Sequence, residues 1–216
     1  MIKKIFVLVI LLVIVILSSQ YVDQQFAIIP YDEVTNKFYG ETQLWCKIIY
    51  YGVNVATIAI IISLFIAIIL YFKSNMNKVL LKRFILITSL SMLIAPGLII
   101  NKAFKEHWGR ARPYQVIRDG HDFSLPWQPH FNKPADNSFP SGHASIGAFL
   151  GVPFIAARRR KLGFLLCWVG AFLVGMVRWL QGGHYFSDIC TAVLIVWLVT
   201  TLVSYFVDQK LEQKKL

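Results

Sequence analysis

Three stretches of this chain gather lysine, arginine, histidine and aspartate at the edges of long apolar runs. The first reads Lys105-Glu106-His107-Trp108-Gly109-Arg110-Ala111-Arg112-Pro113. The second reads Ser138-Phe139-Pro140-Ser141-Gly142-His143-Ala144-Ser145, and the third runs from Val177-Arg178 through Gly182-Gly183-His184 to Asp188. Ionisable side chains beside apolar spans are costly, and where they occur a functional site is the first hypothesis.

Each stretch allows a definite chemistry. In the first, a helix continued past Asn101 puts Lys105 and Arg112, seven residues apart, on one face, and Pro113 ends it. Two cations there suit a phosphate, gripped by the arginine fork and by lysine as a point charge. The competing reading is basic side chains reaching for the membrane interface. In the second, Ser141 is a natural N-cap, and the free N–H groups behind it form an anion site. Gly142 lets an oxygen approach the backbone closely, and His143 is placed to protonate a leaving oxygen. The competing reading is an ordinary cap and a histidine that satisfies a local carbonyl. In the third, Gly182-Gly183 breaks the chain between two apolar runs and Arg178 supplies a third cation. His184 and Asp188 are spaced i, i+4, which on a helix lets the carboxylate hold one ring nitrogen and leave the other nucleophilic. Here the competing reading is a local pair capping the last helix.

Together the stretches supply three cations, a helix N-terminus, an acid and an oriented nucleophile. That set matches phosphoryl transfer, where positioning and charge neutralisation dominate. No GxxxxGK[ST] loop is present, so the phosphate belongs to the substrate. A zinc site would need ligands at short spacing, and the five histidines are scattered, so neither metal nor cofactor is expected. A Ser-His-Asp hydrolase would need a nucleophile-elbow glycine pattern, and Ser141 is better explained as a cap.

The elements that position these residues are apolar. The 216 residues are 56% apolar and 15% charged, against about a quarter charged in soluble domains. Six apolar blocks run over 5–22, 48–72, 84–101, 141–157, 162–180 and 189–207, near the roughly 20 residues a membrane crossing needs. The expected fold is all-α: one integral membrane domain, 1–216, built as a bundle of six transmembrane helices. The first block is read as a retained helix because Leu17-Ser18-Ser19-Gln20 is a poor signal-peptide cleavage site. The fourth is short with a polar entry, so its outer end is expected to face a protein cavity. The segment 102–140 reads as a long outer loop, a length usually tied to function.

Orientation follows from the basic residues. Lys3 and Lys4, Lys73, Lys78, Lys82 and Arg83, Arg158 to Lys161, and Lys210, Lys214 and Lys215 fall on one face. Only Asp208 and Glu212 oppose them, so the formal charge of +11 lies on that face, which the positive-inside rule makes cytoplasmic. Both termini are then cytoplasmic, and all five histidines lie outside. Basic clusters at span ends speak for anionic headgroups and topology and against nucleic acid. Cys46, Cys167 and Cys190 show no paired spacing; three buried thiols are favoured, with a Cys46–Cys190 bridge left open.

Lys105-x6-Arg112-Pro113, Pro140-Ser141-Gly142-His143 and Arg178-x5-His184-x3-Asp188 resemble, in order and spacing, the three-part signature of the type-2 phosphatidic acid phosphatase superfamily. The resemblance covers about residues 84–207, and Val177 departs from it where a serine often precedes the arginine. It implies six transmembrane helices and a site at the outer face. It also implies that Lys105, Arg112 and Arg178 hold the phosphate with help from Ser141 and Gly142. His184 would attack phosphorus, Asp188 would orient it, and His143 would protonate the leaving alcohol, without a metal. Ala95-Pro96-Gly97 through Lys105, Trp108-Gly109-Arg110 and Gln181-Gly182-Gly183-His184 are locally similar to the bacterial branch containing the lipid A phosphatases. That similarity implies that the substrate is a phosphorylated glucosamine of lipid A, displayed on the outer leaflet of a bacterial inner membrane. Alternatives within the class are a phosphatidylglycerophosphate or undecaprenyl pyrophosphate phosphatase. From other classes, an anion-binding transporter would need no nucleophile pair, and the related haloperoxidases are soluble. The sequence carries no signal for oligomeric state.

Overall fold

The computed structural model describes residues 2–132 and 136–213. Lys214 and Lys215, counted above among the cytoplasmic cations, lie outside them, as do residues 133–135 of the outer segment. Helix α1 (Ile2–Ile28) is followed by a two-stranded hairpin, β1 (Tyr31–Asp32) and β2 (Lys37–Phe38), and a short turn of helix, α2 (Tyr39–Thr42). The hairpin turn is closed locally. Asp32 accepts from the Val34 N–H and the Thr35 hydroxyl, at 3.0 and 2.7 Å, and Asn36 takes the left-handed conformation. Then come α3 (Leu44–Lys73), α4 (Lys78–Lys105), α5 (Pro113–Asp119), α6 (Gly142–Phe149), α7 (Val152–Ala156), α8 (Arg160–Leu180) and α9 (Phe186–Gln213).

Among the described residues, five helices are long and apolar enough to cross a membrane: α1 from Ile5, α3, α4, α8 and α9. The fourth apolar block is instead a broken pair, α6 and α7, within Gly142–Ala156. At 1.5 Å per residue this gives about 22 Å of helix. That is short of the roughly 30 Å hydrocarbon thickness.

Helix α4 starts at the side-chain cap of Asn77, whose oxygen accepts from the Leu80 N–H at 3.0 Å. Its second half, Leu93–Lys105, is wound as a π-helix around Pro96. Proline removes one ladder N–H and crowds the carbonyl a turn earlier, and a wider turn relieves both. The Asn101 side chain then donates to the Pro96 carbonyl at 2.7 Å.

Two expectations about the next segment are corrected. The helix ends at Lys105, so Lys105 and Arg112 do not share a helix face. Pro113 starts a helix rather than ending one: it occupies the first turn of α5, where a missing N–H costs nothing, and Gly120 closes that helix in the left-handed conformation (φ 72°). The segment 102–140 is accordingly not all loop.

The core lies between α4, α6, α7, α8 and α9, where Ile87, Ile100, Ala148, Phe149, Val152 and Val196 are fully buried. Helix α1 packs on α9, and α3 on α4, α6 and α8. Contact between the α6–α7 corner and α8 is backbone to backbone. A Cβ on Gly151 would lie 1.8 Å from the Gly163 carbonyl oxygen, so only glycine permits this approach. The three cysteines are free, and no Cys46–Cys190 bridge forms.

Candidate active site

The three motif stretches meet at one end of the bundle. Lys105, in the last turn of α4, brings its ammonium close to the start of α6: a Cβ built on Gly142 would lie 3.5 Å from Lys105 Nζ and 3.0 Å from Asn101 Oδ1. Arg112 is the residue before α5, and its guanidinium donates to Asn137 Oδ1 through Nη2 at 2.6 Å and Nε at 3.1 Å. The start of α5 is tied to the third stretch by the Tyr114 N–H donating to the Gly182 carbonyl at 3.0 Å.

Ser141 caps α6 as expected, its hydroxyl accepting from the Ala144 N–H at 3.3 Å. Its own N–H donates to the Asp188 carbonyl at 3.1 Å, which fixes the second stretch against the third. His143 stacks on Tyr50 of α3, with centroids 4.4 Å apart and planes 17° apart. The Arg178 guanidinium carbon lies 4.9 Å from the centroid of that same Tyr50 ring, and Arg178 Nη1 donates to Gln181 Oε1 at 2.7 Å. Tyr50 therefore contacts both, and nothing in its local sequence signals it.

The break at Gly182-Gly183 has two physical reasons. Gly182 takes φ 60°, which turns the chain out of α8. A Cβ on Gly183 would lie 2.1 Å from Arg178 Nη2, so the guanidinium occupies the space a side chain would need. His184 and Tyr185 precede α9, and Asp188 lies in its first turn. The i, i+4 pair is thus not carried on one helix, which corrects the basis on which it was read. His184 Nδ1 and Asp188 Oδ2 nevertheless face each other at 3.7 Å, slightly beyond hydrogen-bond length.

His184 is fully buried. Burial pushes its pKa down to about 3; Asp188 works against that fall, and Arg178 and Arg112 add to it. The ring is therefore neutral at ordinary pH, the form a nucleophile needs. Two buried nitrogens, Arg178 Nε and His184 Nδ1, make no hydrogen bond among the described residues.

Sequence reasoning missed the residues that hold Asp188. Its Oδ2 accepts from the Ser138 hydroxyl at 2.6 Å and from the Tyr185 N–H at 2.9 Å, and its Oδ1 accepts from Arg110 Nη1. Arg110 is fully buried and also donates through Nη2 to Asp23 Oδ2 at 2.7 Å and through Nε to the Ser124 carbonyl at 2.9 Å. Burial opposes the Arg110 cation, and the carboxylates of Asp188 and Asp23 outweigh it, so its pKa lies above the ordinary value. Two signals were available. Arg110 is a further cation inside the first stretch, and Asp23 is an acid directly beside the first apolar block and the only one in α1.

Lys105, Arg112 and Arg178 thus lie beside the N-terminus of α6 and two histidines, one of them facing a carboxylate, a set whose charge could neutralise an anion. A sequence model of the PAP2 superfamily matches residues 84–212, which contain all three stretches. The chain is also similar to a Lipid A 4'-phosphatase of Francisella tularensis subsp. novicida (strain U112), 34% identical over 140 residues. That alignment covers 62% of this chain and 63% of the relative, so the chain spans less than two thirds of the relative's length. No solved structure matches.

Proposed function

The chain belongs to the PAP2 superfamily, and on that premise we propose that it is a membrane-bound lipid phosphate phosphatase acting on lipid A. The observation that carries the reading is the fully buried His184 facing Asp188 at 3.7 Å beside Arg178, with the cations of the other two stretches brought to the same end of the bundle. Binding an anion alone needs no nucleophile, so the oriented pair favours catalysis. The similarity to the Francisella enzyme supports lipid A as the substrate.

In the proposed reaction, Lys105, Arg112 and Arg178 neutralise the phosphate oxygens, aided by Ser141 and the backbone at Gly142. His184 Nε2 attacks phosphorus, the bond to the lipid oxygen breaks, and His143, which takes up a proton when the phosphate dianion enters beside it, gives that proton to the leaving oxygen. Asp188 balances the charge that develops on the His184 ring. Water then attacks phosphorus, His143 takes its proton, and the P–N bond breaks to release inorganic phosphate. These steps use only side chains of this protein and need no metal.

Within the same reading the chain is one domain, 1–216, that crosses a bacterial inner membrane six times, with α6–α7 as the fourth crossing. Both termini are cytoplasmic and the site faces the periplasm. The basic residues Lys73, Lys78 and Arg158 to Lys161 support this, because they border the helix ends opposite the site. The test is phosphate release by purified protein from lipid A, phosphatidylglycerophosphate and undecaprenyl pyrophosphate, with EDTA present. Expected is fastest release from lipid A, retained in EDTA and inhibited by vanadate. Strict dependence on an added metal, or no release from any of the three, contradicts the proposal.

A further inference from the structure

Helix α1 lies outside the matched residues 84–212 and carries none of the three motif stretches, yet it delivers a carboxylate to the neighbourhood of the nucleophile. Asp23 is fully buried near the end of α1. Both of its oxygens are used: Oδ1 accepts from the Ser187 N–H at 3.0 Å, and Oδ2 accepts from Arg110 Nη2 at 2.7 Å and from the Ser187 hydroxyl at 2.5 Å. Arg110 Nη1 reaches on to Ser187 Oγ at 3.0 Å and to Asp188, while its guanidinium carbon lies 4.3 Å from the Tyr185 ring centroid. The result is a line of buried charges: Asp23, Arg110, Asp188, and then the His184 ring.

The charges along that line suggest its use. Arg110 and Asp188 alone would form a neutral pair, and the guanidinium would cancel the negative charge that Asp188 offers to His184. With Asp23 on the far side, two carboxylates share one guanidinium, and a net negative charge remains facing the imidazole. Little solvent is there to screen it, because Asp23, Arg110 and Asp188 are all fully buried. A structural anchor for α1 would need no second carboxylate arranged in this way. Such an anchor already exists in the Trp179 indole N–H, which donates to the Phe26 carbonyl at 2.8 Å.

We propose that Asp23 is a positioning residue of the active site: acting through Arg110, it leaves the Asp188 carboxylate, which Ser138 and the Tyr185 N–H hold in place, the charge that stabilises the His184 ring as phosphorus is attacked. This rests on the phosphatase reading above. Asp23 touches neither substrate nor the reacting ring, so its effect belongs in turnover rather than in substrate capture.

The test compares full-length wild type, His184→Ala, Asp23→Asn, Asp23→Glu and the double variant Asp23→Asn/Arg110→Gln, each checked for folding by size exclusion in detergent. Phosphate release from lipid A is followed to separate kcat from KM. For Asp23→Asn, kcat is expected to fall about tenfold or more with KM little changed, as when a group that orients a catalytic ligand is lost. Asp23→Glu should recover part of kcat, because the carboxylate returns. The double variant should turn over faster than Asp23→Asn, because removing both charges restores the negative charge of Asp188. An active wild type with kcat unchanged in Asp23→Asn overturns the inference alone. So does a double variant no faster than a folded Asp23→Asn. Should Asp23→Asn not fold, Asp23→Glu and the double variant decide: either one with wild-type KM and intermediate kcat supports the inference, and a rise in KM alone overturns it. A wild type that releases no phosphate, or keeps its activity in His184→Ala, overturns the phosphatase reading itself.

Discussion

Asn137 shows how a neutral residue determines what a cation can do. Its side-chain oxygen takes two N–H groups of Arg112, which fixes the plane of the guanidinium and leaves its remaining donors for the phosphate of the proposed reaction. Hydrogen bonds to charged groups contribute about 1.5–3 kcal/mol, so Asn137→Ala is expected to raise KM about tenfold or more with a smaller change in kcat. Steady-state kinetics checks this, and an unchanged KM speaks against the pinned clamp. His184 carries the second prediction at this scale. Its folded-state pKa of about 3 lies below the ordinary value of 6.5, so its contribution to stability is complete above pH 6.5 and is lost as pH falls toward 3. The unfolding temperature should therefore drop through that window, and His184→Gln should flatten the drop, as thermal unfolding at pH 7, 5 and 4 would show. The free enzyme should also keep its nucleophile neutral down to pH 5. The motif residues themselves were legible because charge, proline and glycine at span edges carry their own physical signal. Asn137 and Tyr50 were not: each acts through one contact with a residue distant in sequence, and a lone asparagine or tyrosine near a span end is ordinary.

At the scale of elements, the apolar runs marked the helices, but not where they end or widen. Pro96 looks like a helix breaker and is absorbed by the π-turns of α4; Pro113 looks like a terminator and opens α5. A proline constrains its own φ and removes one donor, and whether that ends, starts or widens a helix depends on the residues around it. The fourth block read as a span and folds as the broken pair α6 and α7, because Gly151 and Pro153 fall in its middle, where α8 must approach closely. That approach gives a prediction. Gly151→Ala would place a methyl group against the Gly163 backbone, and overpacking of this kind costs about 1–3 kcal/mol. Unfolding in detergent should show a lower midpoint, and a midpoint equal to wild type would mean that the corner can open without cost.

For the whole molecule, ion pairs fasten both ends of the bundle, fully buried at the site end and half-buried at the other. Away from the site, Arg83 donates to Asp208 of α9 at 2.6 Å and to the Ile155 carbonyl at the end of α7 at 2.9 Å, which satisfies a helix C-terminus and joins α4, α7 and α9. At the site end, Arg110 joins α1 to α9 through Asp23 and Asp188. Between them the bundle exposes apolar side chains on α1 and α3, such as Ile14, Val55 and Phe65, as a surface in contact with lipid would. Composition made the membrane bundle legible from the start. The ion pairs were not legible, since their partners lie far apart in sequence and become neighbours only when the helices pack.

The central claim is that His184 is the nucleophile, and trapping its phosphorylated form tests this most directly. Purified protein would be mixed with lipid A carrying radiolabelled phosphate, quenched in alkali within a turnover, and the labelled residue located by peptide mapping. The account predicts label on His184 in an alkali-stable, acid-labile linkage, absent from His184→Gln. Label on another residue, or full label and turnover in His184→Gln, would contradict it.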